Sequence, residues 1–355
     1  MKMFLESDIT ELNQRLSKTL EKCAGRTILL TGAAGFLGRY FMELFLQFNL
    51  NNPRNKIRII ALDSYISSGK SNFDTEAKKS EEVEWIFGDA SLAAQLPDRF
   101  DFIIHAAGIA SPAHYRANPL KTIDVAVNVT QQLLEKAKLD KSRFLFFSSS
   151  EIYGDPDPSA VPTKESYRGF VNSRGPRACY DESKRLGETL CWIYQTYFDV
   201  HATVARPFNV YGPGMMPKDF RVLPNFATSI AKGESLKVYG SGKQTRTFCY
   251  ITDAIDGFMR ILVDSKDPDV FNIGNPTPEI TIIDLAKLCL DISESKVGID
   301  VIKYPDSYPD DEPNRRCPNI EKAKNTLSFK PQVDLNLGLS RFFEWTKQNY
   351  TDAIL

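Results

Sequence analysis

The sequence is poor in the residues that build metal sites and disulfide frameworks. Three histidines and six cysteines are spread over 355 residues, and no two cysteines form a CxxC pair. This pattern predicts neither a zinc site nor a disulfide framework, and it is typical of a reducing compartment. With 44 Lys and Arg against 45 Asp and Glu, the net charge of −1 indicates no surface basic enough to bind nucleic acid.

Long apolar runs are missing as well. One of the most apolar stretches, residues 144–147, has only the length of a strand, whereas a membrane span needs roughly 18 apolar residues. The N-terminal segment carries Glu6, Asp8 and Glu11 and has no apolar core of a signal peptide. We therefore expect no membrane span, no secretory signal and a cytoplasmic location.

Short apolar segments alternate with helical patterns through much of the chain. Helical patterns cover about 120–138 and 180–197. The segments of strand length are 26–31, 57–63, 85–87, 102–105, 144–147 and 201–205. Such alternation is typical of a parallel sheet covered on both faces. We predict an α/β fold with a Rossmann-like, doubly wound parallel sheet.

The chain divides into three segments by pattern. Residues 1–25 are expected to form a helical extension, because apolar residues recur there at three- and four-residue steps. Residues 26–205 contain the predicted sheet. From about residue 206 prolines and glycines interrupt the pattern. Residues 206–355 are therefore expected to form a smaller, mixed α/β substrate-binding lobe, partly interleaved with the sheet.

A glycine-rich turn follows the first predicted strand. Gly32, Gly35 and Gly38 have GxxGxxG spacing between a strand and a helix, which lets the backbone approach a pyrophosphate at the helix N-terminus. Asp63 ends the next strand, where a carboxylate can accept from both ribose hydroxyls and would repel a 2′-phosphate. Asp89, after the third strand, is placed to face the adenine. The pattern predicts an NAD site, with a turn that only packs helix on strand as the simpler alternative.

A second group of residues indicates proton chemistry. Tyr180 and Lys184 are four residues apart on a predicted helix, so both side chains point to one face. An ammonium beside the phenol is expected to lower the pKa of Tyr180 toward neutrality and make it a base for a sugar hydroxyl. Ser149 and Glu151 follow a buried strand, at the edge where open α/β sheets bind ligands. An ordinary serine-rich turn is the alternative.

These motifs together resemble the extended short-chain dehydrogenase/reductase family of NDP-sugar epimerases, dehydratases and decarboxylases. The resemblance runs from about 25 to 345, and within the family it is strongest to the UDP-glucuronate decarboxylases. Its most specific stretch is Gly-Pro-Arg-Ala-Cys-Tyr at 175–180. Further matching stretches are 110–122, 175–185, 238–246 and 311–316.

The resemblance implies a role for each matching residue. Ser149 and Tyr180 would handle the 4-hydroxyl, Lys184 would bind the nicotinamide ribose, and Glu151 would lie near C5. Arg246 would stabilise an enolate, and no metal would be needed. Phe36, Leu37 and Ala106 are further expected cofactor contacts. The expected substrate contacts are Ser111, Tyr115, Asn209, Arg221, Asn225, Tyr239, Arg246 and Arg316. Arg246 and Arg316 lie in loop-like polar segments, so surface salt bridges are the alternative for both.

The implied reaction is decarboxylation of UDP-glucuronate through a 4-keto intermediate, with NAD regenerated in each turnover. An NDP-hexose 4,6-dehydratase or a 4-epimerase is the enzymatic alternative, and a non-catalytic NAD-binding scaffold is the alternative of another class. The sequence departs from the decarboxylase pattern at Ser183, at Phe220 and over residues 105–108.

The resemblance also implies a homodimer. Relatives associate through the helix that carries the Tyr180 motif and the helix before it. Leu186, Leu190 and Ile193 would contribute to that interface, and core packing is the alternative for these three residues.

Overall fold

Strands and helices alternate along the chain in the computed structural model, which describes residues 3–69, 71–217, 219–304 and 313–350. The strands are β1 (Thr27–Thr31), β2 (Arg58–Asp63), β3 (Val83–Phe87), β4 (Phe102–His105), β5 (Arg143–Phe147), β6 (His201–Pro207), β7 (Val210–Tyr211), β8 (Leu236–Tyr239), β9 (Thr245–Arg246), β10 (Cys249–Tyr250), β11 (Val270–Ile273), β12 (Ile280–Thr281), β13 (Ile299–Ile302) and β14 (Arg315–Arg316).

The helices pack on and between these strands. They are α1 (Glu6–Arg15), α2 (Ser17–Glu21), α3 (Phe36–Asn51), α4 (Asn72–Ala77), α5 (Pro112–Ala117), α6 (Pro119–Asp124), α7 (Thr130–Asp140), α8 (Ala178–Phe198), α9 (Val222–Lys232), α10 (Ile251–Asp264), α11 (Ile282–Ser293), α12 (Glu321–Leu327) and α13 (Leu335–Asn349). A π-helical turn, Val125–Val129, joins α6 to α7. Short 3-10 turns are Ala90–Gln95, Ser150–Tyr153 and Pro158–Ala160.

The central element is a parallel sheet with the strand order β11–β6–β5–β4–β1–β2–β3. Every pairing within it is parallel. All six predicted strands belong to this sheet, so the doubly wound α/β prediction is confirmed. The chain builds outward from β1 to β3 on one side and from β4 to β6 on the other. The carboxyl ends of β1 and β4 therefore border the crevice where such sheets bind ligands.

Strand β11 is not among the predicted strands. It is short and lies between the polar residues 266–269 and the turn residues 274–276. Its partner is β6, with Val270 beside Val204 and Ile273 beside Pro207. The segment after residue 206 thus contributes an edge strand to the central sheet.

The sheet has an apolar core on each face. Leu29 and Leu30 are fully buried in β1 but belong to different core clusters. Leu30 packs with the cluster that contains Phe41 of α3 and Phe258 of α10. Leu29 packs with the cluster that contains Leu133 of α7. Adjacent residues of a strand point to opposite faces, so a strand buried on both faces is apolar throughout.

The two ends of the chain differ in detail from the expectation. The predicted leading helix consists of α1 and α2, because the backbone breaks the α-helical conformation at Leu16. The segment after residue 206 also forms three small sheets, which pair β7 with β10, β8 with β13, and β9 with β12 and β14. Parts of the predicted segments 1–25 and 206–355 lie outside the described residues, as do residues 311 and 312 of the matching stretch 311–316. Among the described residues no helix is long and apolar enough to cross a membrane.

Candidate active site

The glycine turn after β1 allows a close approach of backbone to backbone. Gly32 has a φ of 72°, a conformation that favours glycine. A Cβ at Gly38 would lie 2.1 Å from the carbonyl oxygen of Gly32, so α3 can pack against the turn only with glycine there. Gly35 is the N-cap of α3. The first turn of that helix, which contains Phe36 and Leu37, presents amide donors suited to a phosphate group.

Asp63 lies in a pocket beside this turn, at the carboxyl end of β2. The pocket is also lined by Gly32, Gly35, Asp89 and Ala106. The carboxylate of Asp63 accepts hydrogen bonds from the amides of Ala34 at 2.9 Å and Tyr65 at 2.6 Å, which orient it. Burial raises the pKa of Asp63 above its ordinary value. The structure thus brings the predicted cofactor residues to one place, with Phe36, Leu37 and Gly38 in the helix behind the turn.

Asp89 already has a cationic partner in this pocket. Its carboxylate lies 2.6 Å from the ammonium of Lys121, which also lines the pocket. The same side chain caps the turn at 90–95 by accepting from the amide of Ser91. An ion pair therefore borders the pocket at the end predicted for the adenine.

Ser149, Tyr180 and Lys184 meet at the carboxyl end of β5. Tyr180 lies in the first turn of α8 and packs face to face on Tyr115, with ring centroids 5.3 Å apart. A side-chain hydrogen bond joins Tyr180 to Ser149. The ammonium of Lys184 is 5.8 Å from the centre of the Tyr180 ring and donates to the carbonyl of Phe147 at 2.7 Å. The helical spacing places both side chains toward the end of the sheet, as predicted.

The prediction that the pKa of Tyr180 is lowered toward neutrality is wrong for the protein without bound cofactor or substrate. Burial raises the pKa of Tyr180 to about 12, and the hydrogen bond from Ser149 only partly offsets this. Burial also lowers the pKa of Lys184 to about 8. Both shifts have one cause, since a low-dielectric environment disfavours the charged form of each group.

A larger pocket opens at Tyr180. Glu151 and Tyr180 line it together with predicted substrate residues, which are Tyr115, Asn209, Arg221, Asn225, Tyr239, Arg246 and Arg316. Ser111 is the N-cap of α5, and its neighbours Ala110 and Pro112 line the pocket instead. The structure thus brings together around one cavity predicted residues that lie as far apart in the sequence as Tyr115 and Arg316.

Arg246 and Arg316 are paired in a small sheet rather than placed in loops. Arg246 belongs to β9 and Arg316 to β14, and the two residues are direct partners in the parallel register. Both are buried, with 6% and 7% of their surface exposed. Surface salt bridges are therefore not the explanation for these arginines.

Glu151 is held by two arginines. Arg316 forms a fork with both carboxylate oxygens, and each nitrogen–oxygen distance is 2.7 Å. Arg177 donates to Glu151 from the other side. Arg177 is the N-cap of α8 and is itself buried. Arg177 is not among the predicted site residues, although its position in the distinctive stretch 175–180 is a signal for it.

Arg221 lines the larger pocket and also reaches the first turn of α3. Its guanidinium pairs with Asp219, with Nε and Oδ1 2.8 Å apart. The same guanidinium lies 6.0 Å from the ring centre of Phe36, in the first turn of the helix behind the glycine turn. Asp219 is a further residue that the sequence did not indicate, since its role depends on the folded position of Arg221.

The three departures from the family pattern have different settings. Ser183 is buried and donates to the carbonyl of Tyr180 at 3.0 Å. Phe220 lines the larger pocket, next to Arg221, and is 55% exposed. His105 is buried 2.8 Å from the hydroxyl of Thr31, and burial lowers its pKa to about 3. Only Phe220 borders the place where a substrate would lie.

The larger pocket has more basic than acidic lining residues. Its basic lining residues are Arg177, Arg221, Lys237, Arg246 and Arg316, and its acidic lining residue is Glu151. Guanidinium groups in a partly buried site bind phosphate and carboxylate oxygens with matched pairs of donors. The pocket is therefore suited to an anionic ligand. Among the described residues no group of His, Cys, Asp and Glu is arranged to hold a metal ion.

The fold and these two pockets define a nucleotide-dependent enzyme of the doubly wound α/β class. The model of the NAD dependent epimerase/dehydratase family matches residues 28–274. The chain belongs to this family.

Curated relatives cover most of the chain. It is 39% identical over 312 residues to UDP-glucuronic acid decarboxylase 5 of Arabidopsis thaliana, which covers 88% of this chain and 86% of that protein. It is 37% identical over 328 residues to UDP-glucuronic acid decarboxylase 1 of Danio rerio, with coverage of 92% and 74%.

A similar solved structure is the UDP-glucuronic acid 4-epimerase of Bacillus cereus in complex with UDP-glucuronic acid and NAD. Its TM-score is 0.74 at 27% identity, and the alignment covers 91% of this chain and 99% of that one.

Proposed function

We propose that this protein is an NAD-dependent enzyme that removes the carboxylate of UDP-glucuronate as carbon dioxide. The observation that carries the proposal is the placement of Tyr180 and Lys184, one turn apart on α8. Tyr180 lines the pocket with four arginines. Lys184 lies beside Gly108 of the pocket built on the glycine turn, where a Cβ on Gly108 would be 3.3 Å from its Nζ. The relatives named as UDP-glucuronic acid decarboxylases support the choice of reaction. The excess of basic residues suits a ligand with both a diphosphate and a carboxylate.

The cofactor pocket fits NAD. The turn around Gly32 excludes side chains where a pyrophosphate would approach, and α3 begins there with its amide donors. Asp63 offers its carboxylate to ribose hydroxyls and would repel the additional phosphate of NADP. NAD held there would supply the hydride acceptor for C4 of the sugar and the hydride donor for the later reduction at the same carbon.

Tyr180 is the residue placed to take the proton of the sugar 4-hydroxyl. Its pKa of about 12 in the resting chain means that the phenol is protonated at neutral pH. Binding of charged groups next to Tyr180 and Lys184 must therefore favour the phenolate if Tyr180 is to act as a base. Ser149 is hydrogen-bonded to the phenol and is placed to bind the same sugar oxygen.

Oxidation at C4 makes the carboxylate at C5 that of a β-keto acid. The bond between C5 and C6 then breaks, carbon dioxide leaves, and the electron pair stays behind as an enolate. Arg246 is the buried cation that we assign to the developing charge on the oxygen at C4. A proton then adds at C5, and O4 regains its proton from Tyr180 as C4 regains its hydride. The sum is loss of carbon dioxide and uptake of one proton.

The position of Glu151 favours decarboxylation over dehydration. A 4,6-dehydratase would need Glu151 to remove a proton from C5. In this chain both carboxylate oxygens bind guanidinium groups of Arg177 and Arg316, so they are less available as a base. We therefore assign Glu151 an orienting role near C5.

The test is to incubate the purified protein with NAD and UDP-glucuronate and to weigh the product by mass spectrometry. We expect a product lighter by one carbon dioxide, and at least about 100-fold slower formation of it by the Tyr180→Phe variant. Parallel incubations with UDP-glucose, dTDP-glucose and GDP-mannose test the alternatives. Loss of water from a hexose, or an unchanged mass with UDP-glucuronate, would contradict the proposal.

We infer that the protein is a homodimer through α6 and α8. Leu120 of α6 is 80% exposed, and Leu186 and Trp192 of α8 are 47% and 54% exposed. Leu190 and Ile193 are partly buried and pack against the chain's own core. Apolar side chains exposed on neighbouring helices favour association. Light scattering should give twice the mass of the chain, and a monomer would contradict this inference.

We also propose a cytoplasmic location. All six cysteines are free thiols, in keeping with a reducing compartment. Fractionation of the source cells followed by immunoblotting tests this, and recovery in a membrane or secreted fraction would contradict it.

A further inference from the structure

Behind Glu151 lies a second buried carboxylate that the reaction does not use. Asp181 follows Tyr180 in the first turn of α8 and is 6% exposed. Its Oδ2 lies 3.4 Å from Nε of Arg177. Its Oδ1 has no hydrogen-bond partner within the described part of the chain. A buried carboxylate with one oxygen left without a donor is costly, so its presence calls for an explanation.

Arg177 links this carboxylate to the active site. One end of its guanidinium donates to Glu151 and the Nε donates to Asp181, so a single side chain bridges both acids. Arg177 is the N-cap of α8 and Asp181 lies in its first turn, four residues further on. Glu151 belongs to the 3-10 turn after β5, in a different part of the sequence. The bridge therefore ties the turn that carries Glu151 to the helix that carries Tyr180.

We propose that Arg177 and Asp181 are positioning residues of the active site, with Arg177 orienting Glu151 and Asp181 orienting Arg177. The proposal rests on the proposed decarboxylation, in which Glu151 lies near C5. Arg316, in β14, binds both carboxylate oxygens of Glu151. Arg177, at the start of α8, fixes the position of Glu151 relative to Tyr180. The orientation of Glu151 toward the substrate thus depends on both guanidinium groups.

Glu151, Arg177, Asp181 and Arg316 form a cluster whose net charge can change with pH. Among the described residues, the guanidinium groups of Arg177 and Arg316 face the carboxylates of Glu151 and Asp181, so ionisation of Asp181 changes the charge of this group. Burial, reinforced by the nearby charge of Glu151, raises the pKa of Asp181 to about 7. The titratable and charged groups that face Asp181 are Glu151, Arg177, Arg316, Tyr115, Tyr180 and Cys179.

The charge of Asp181 also acts on Tyr180. An ionised Asp181 contributes to the raised pKa of Tyr180, because a negative charge nearby disfavours the phenolate. Replacement of Asp181 by asparagine removes this charge and keeps an oxygen that can accept from Arg177. We therefore expect Asp181→Asn to move the acid limb of the kcat profile to lower pH. The adjacent Glu182→Gln is the matched control, since Glu182 is 41% exposed and lies 3.8 Å from Arg185.

Arg177→Met tests the positioning of Glu151. We expect kcat to fall by about 100-fold, the order associated with a misplacement of about 1 Å, while KM changes by less than about threefold. Arg177→Lys keeps the charge and should restore part of kcat, whereas Arg174→Lys in the exposed loop should have no effect. Wild-type kcat in Arg177→Met, or an unmoved acid limb in Asp181→Asn, would overturn the proposal.

A substrate-free measurement separates this proposal from the proposed function. The carboxyl carbon of Asp181, labelled with carbon-13 and assigned through Asp181→Asn, should titrate near pH 7 in the resting protein. In Arg177→Met the titration should move to higher pH, because the cation that favours the ionised form is gone. An unchanged titration would overturn the link between Arg177 and Asp181, whatever the wild-type protein does with UDP-glucuronate. Absence of carbon dioxide release by the wild type would instead overturn the proposed function.

Discussion

The two pockets next to Tyr180 and Lys184 are built in different ways. The cofactor pocket depends on backbone, since Gly32 and Gly38 keep side chains away and the amides of Ala34 and Tyr65 orient Asp63. The substrate pocket depends on charged side chains that orient one another. Its central carboxylate, Glu151, is held by arginines from two separate segments.

This difference affects how each pocket should respond to substitution. A pocket formed by backbone depends on steric fit, so a single added carbon can disrupt it, whereas loss of one polar contact is tolerated. A pocket formed by paired buried charges depends on each partner, because removal of one leaves another without compensation. Tyr180 lines the substrate pocket and Lys184 lies beside Gly108 of the cofactor pocket, and both side chains are buried.

The largest effect is expected at Tyr180. Tyr180→Phe removes the phenolic oxygen, which is the proposed base, so kcat should fall by about 10²–10⁴-fold. Binding of NAD, measured by titration calorimetry, should stay within about threefold of the wild type. Tyr197→Phe, on the exposed side of the same helix, is the control. Retention of kcat in Tyr180→Phe would show that another group takes the proton.

A steric test of the cofactor pocket comes next. Gly38→Ala places a Cβ 2.1 Å from the carbonyl oxygen of Gly32, so the turn or the helix must move. We expect a loss of about 2–3 kcal/mol in the free energy of unfolding, together with weaker NAD binding. Denaturant titration and calorimetry measure the two effects. Gly298→Ala, which faces the side chain of Ser235 instead of backbone, should change both values little.

At Lys184 we expect one substitution to change stability and activity in opposite directions. Its pKa of about 8 lies below the ordinary 10.5, so the folded state binds fewer protons than the unfolded state between these pH values. The cost of burying the charge is therefore fully present below pH 8 and is lost as pH rises toward 10.5. Lys184→Met should abolish activity yet raise the free energy of unfolding at pH 7 by about 1–2 kcal/mol.

Urea titrations of the NAD-free protein at pH 7 and pH 10 measure the effect of Lys184→Met. The gain should be smaller at pH 10, where the wild-type side chain is largely neutral. Lys287→Met, at an exposed position, is the control and should show no such dependence. A loss of stability in Lys184→Met at pH 7 would contradict the predicted cost of burial.

The smallest effect is expected at Asp63. Asp63→Asn keeps the shape of the side chain but removes its charge, so NAD affinity should fall by about tenfold. Because the repulsion of a 2′-phosphate is also removed, the preference for NAD over NADP should narrow. Dissociation constants for both cofactors measure this. An unchanged ratio of the two constants would show that Asp63 does not select the cofactor.

The sequence predicts most of what is local and little of what depends on packing. The sheet strands and the glycine turn follow from short patterns, and Tyr180 and Lys184 follow from helical spacing. Strand β11 is too short for its own pattern to reveal it. The contact between Glu151 and Arg316 joins residues 165 positions apart, so spacing does not indicate it. Arg177 lies in a recognised motif, but its role requires the folded position of Glu151.

The pKa of Tyr180 is another property that the sequence does not predict. Its distance from Lys184 in the sequence is correctly interpreted as one helical turn, but the sign of its pKa shift depends on burial, which spacing does not reveal. The same applies to Arg246 and Arg316, whose polar neighbours in the sequence indicate exposure although both are buried.

The most direct test of the proposed reaction follows the hydrogen at C4. UDP-glucuronate labelled with deuterium at C4 is converted by the protein with NAD in a single turnover, and the product is examined by mass spectrometry and proton NMR. We expect a UDP-pentose that has lost carbon dioxide and still carries the deuterium at C4, because the hydride leaves and returns within one site. A product without deuterium at C4, or one that retains its carboxylate, would contradict decarboxylation with internal regeneration of NAD.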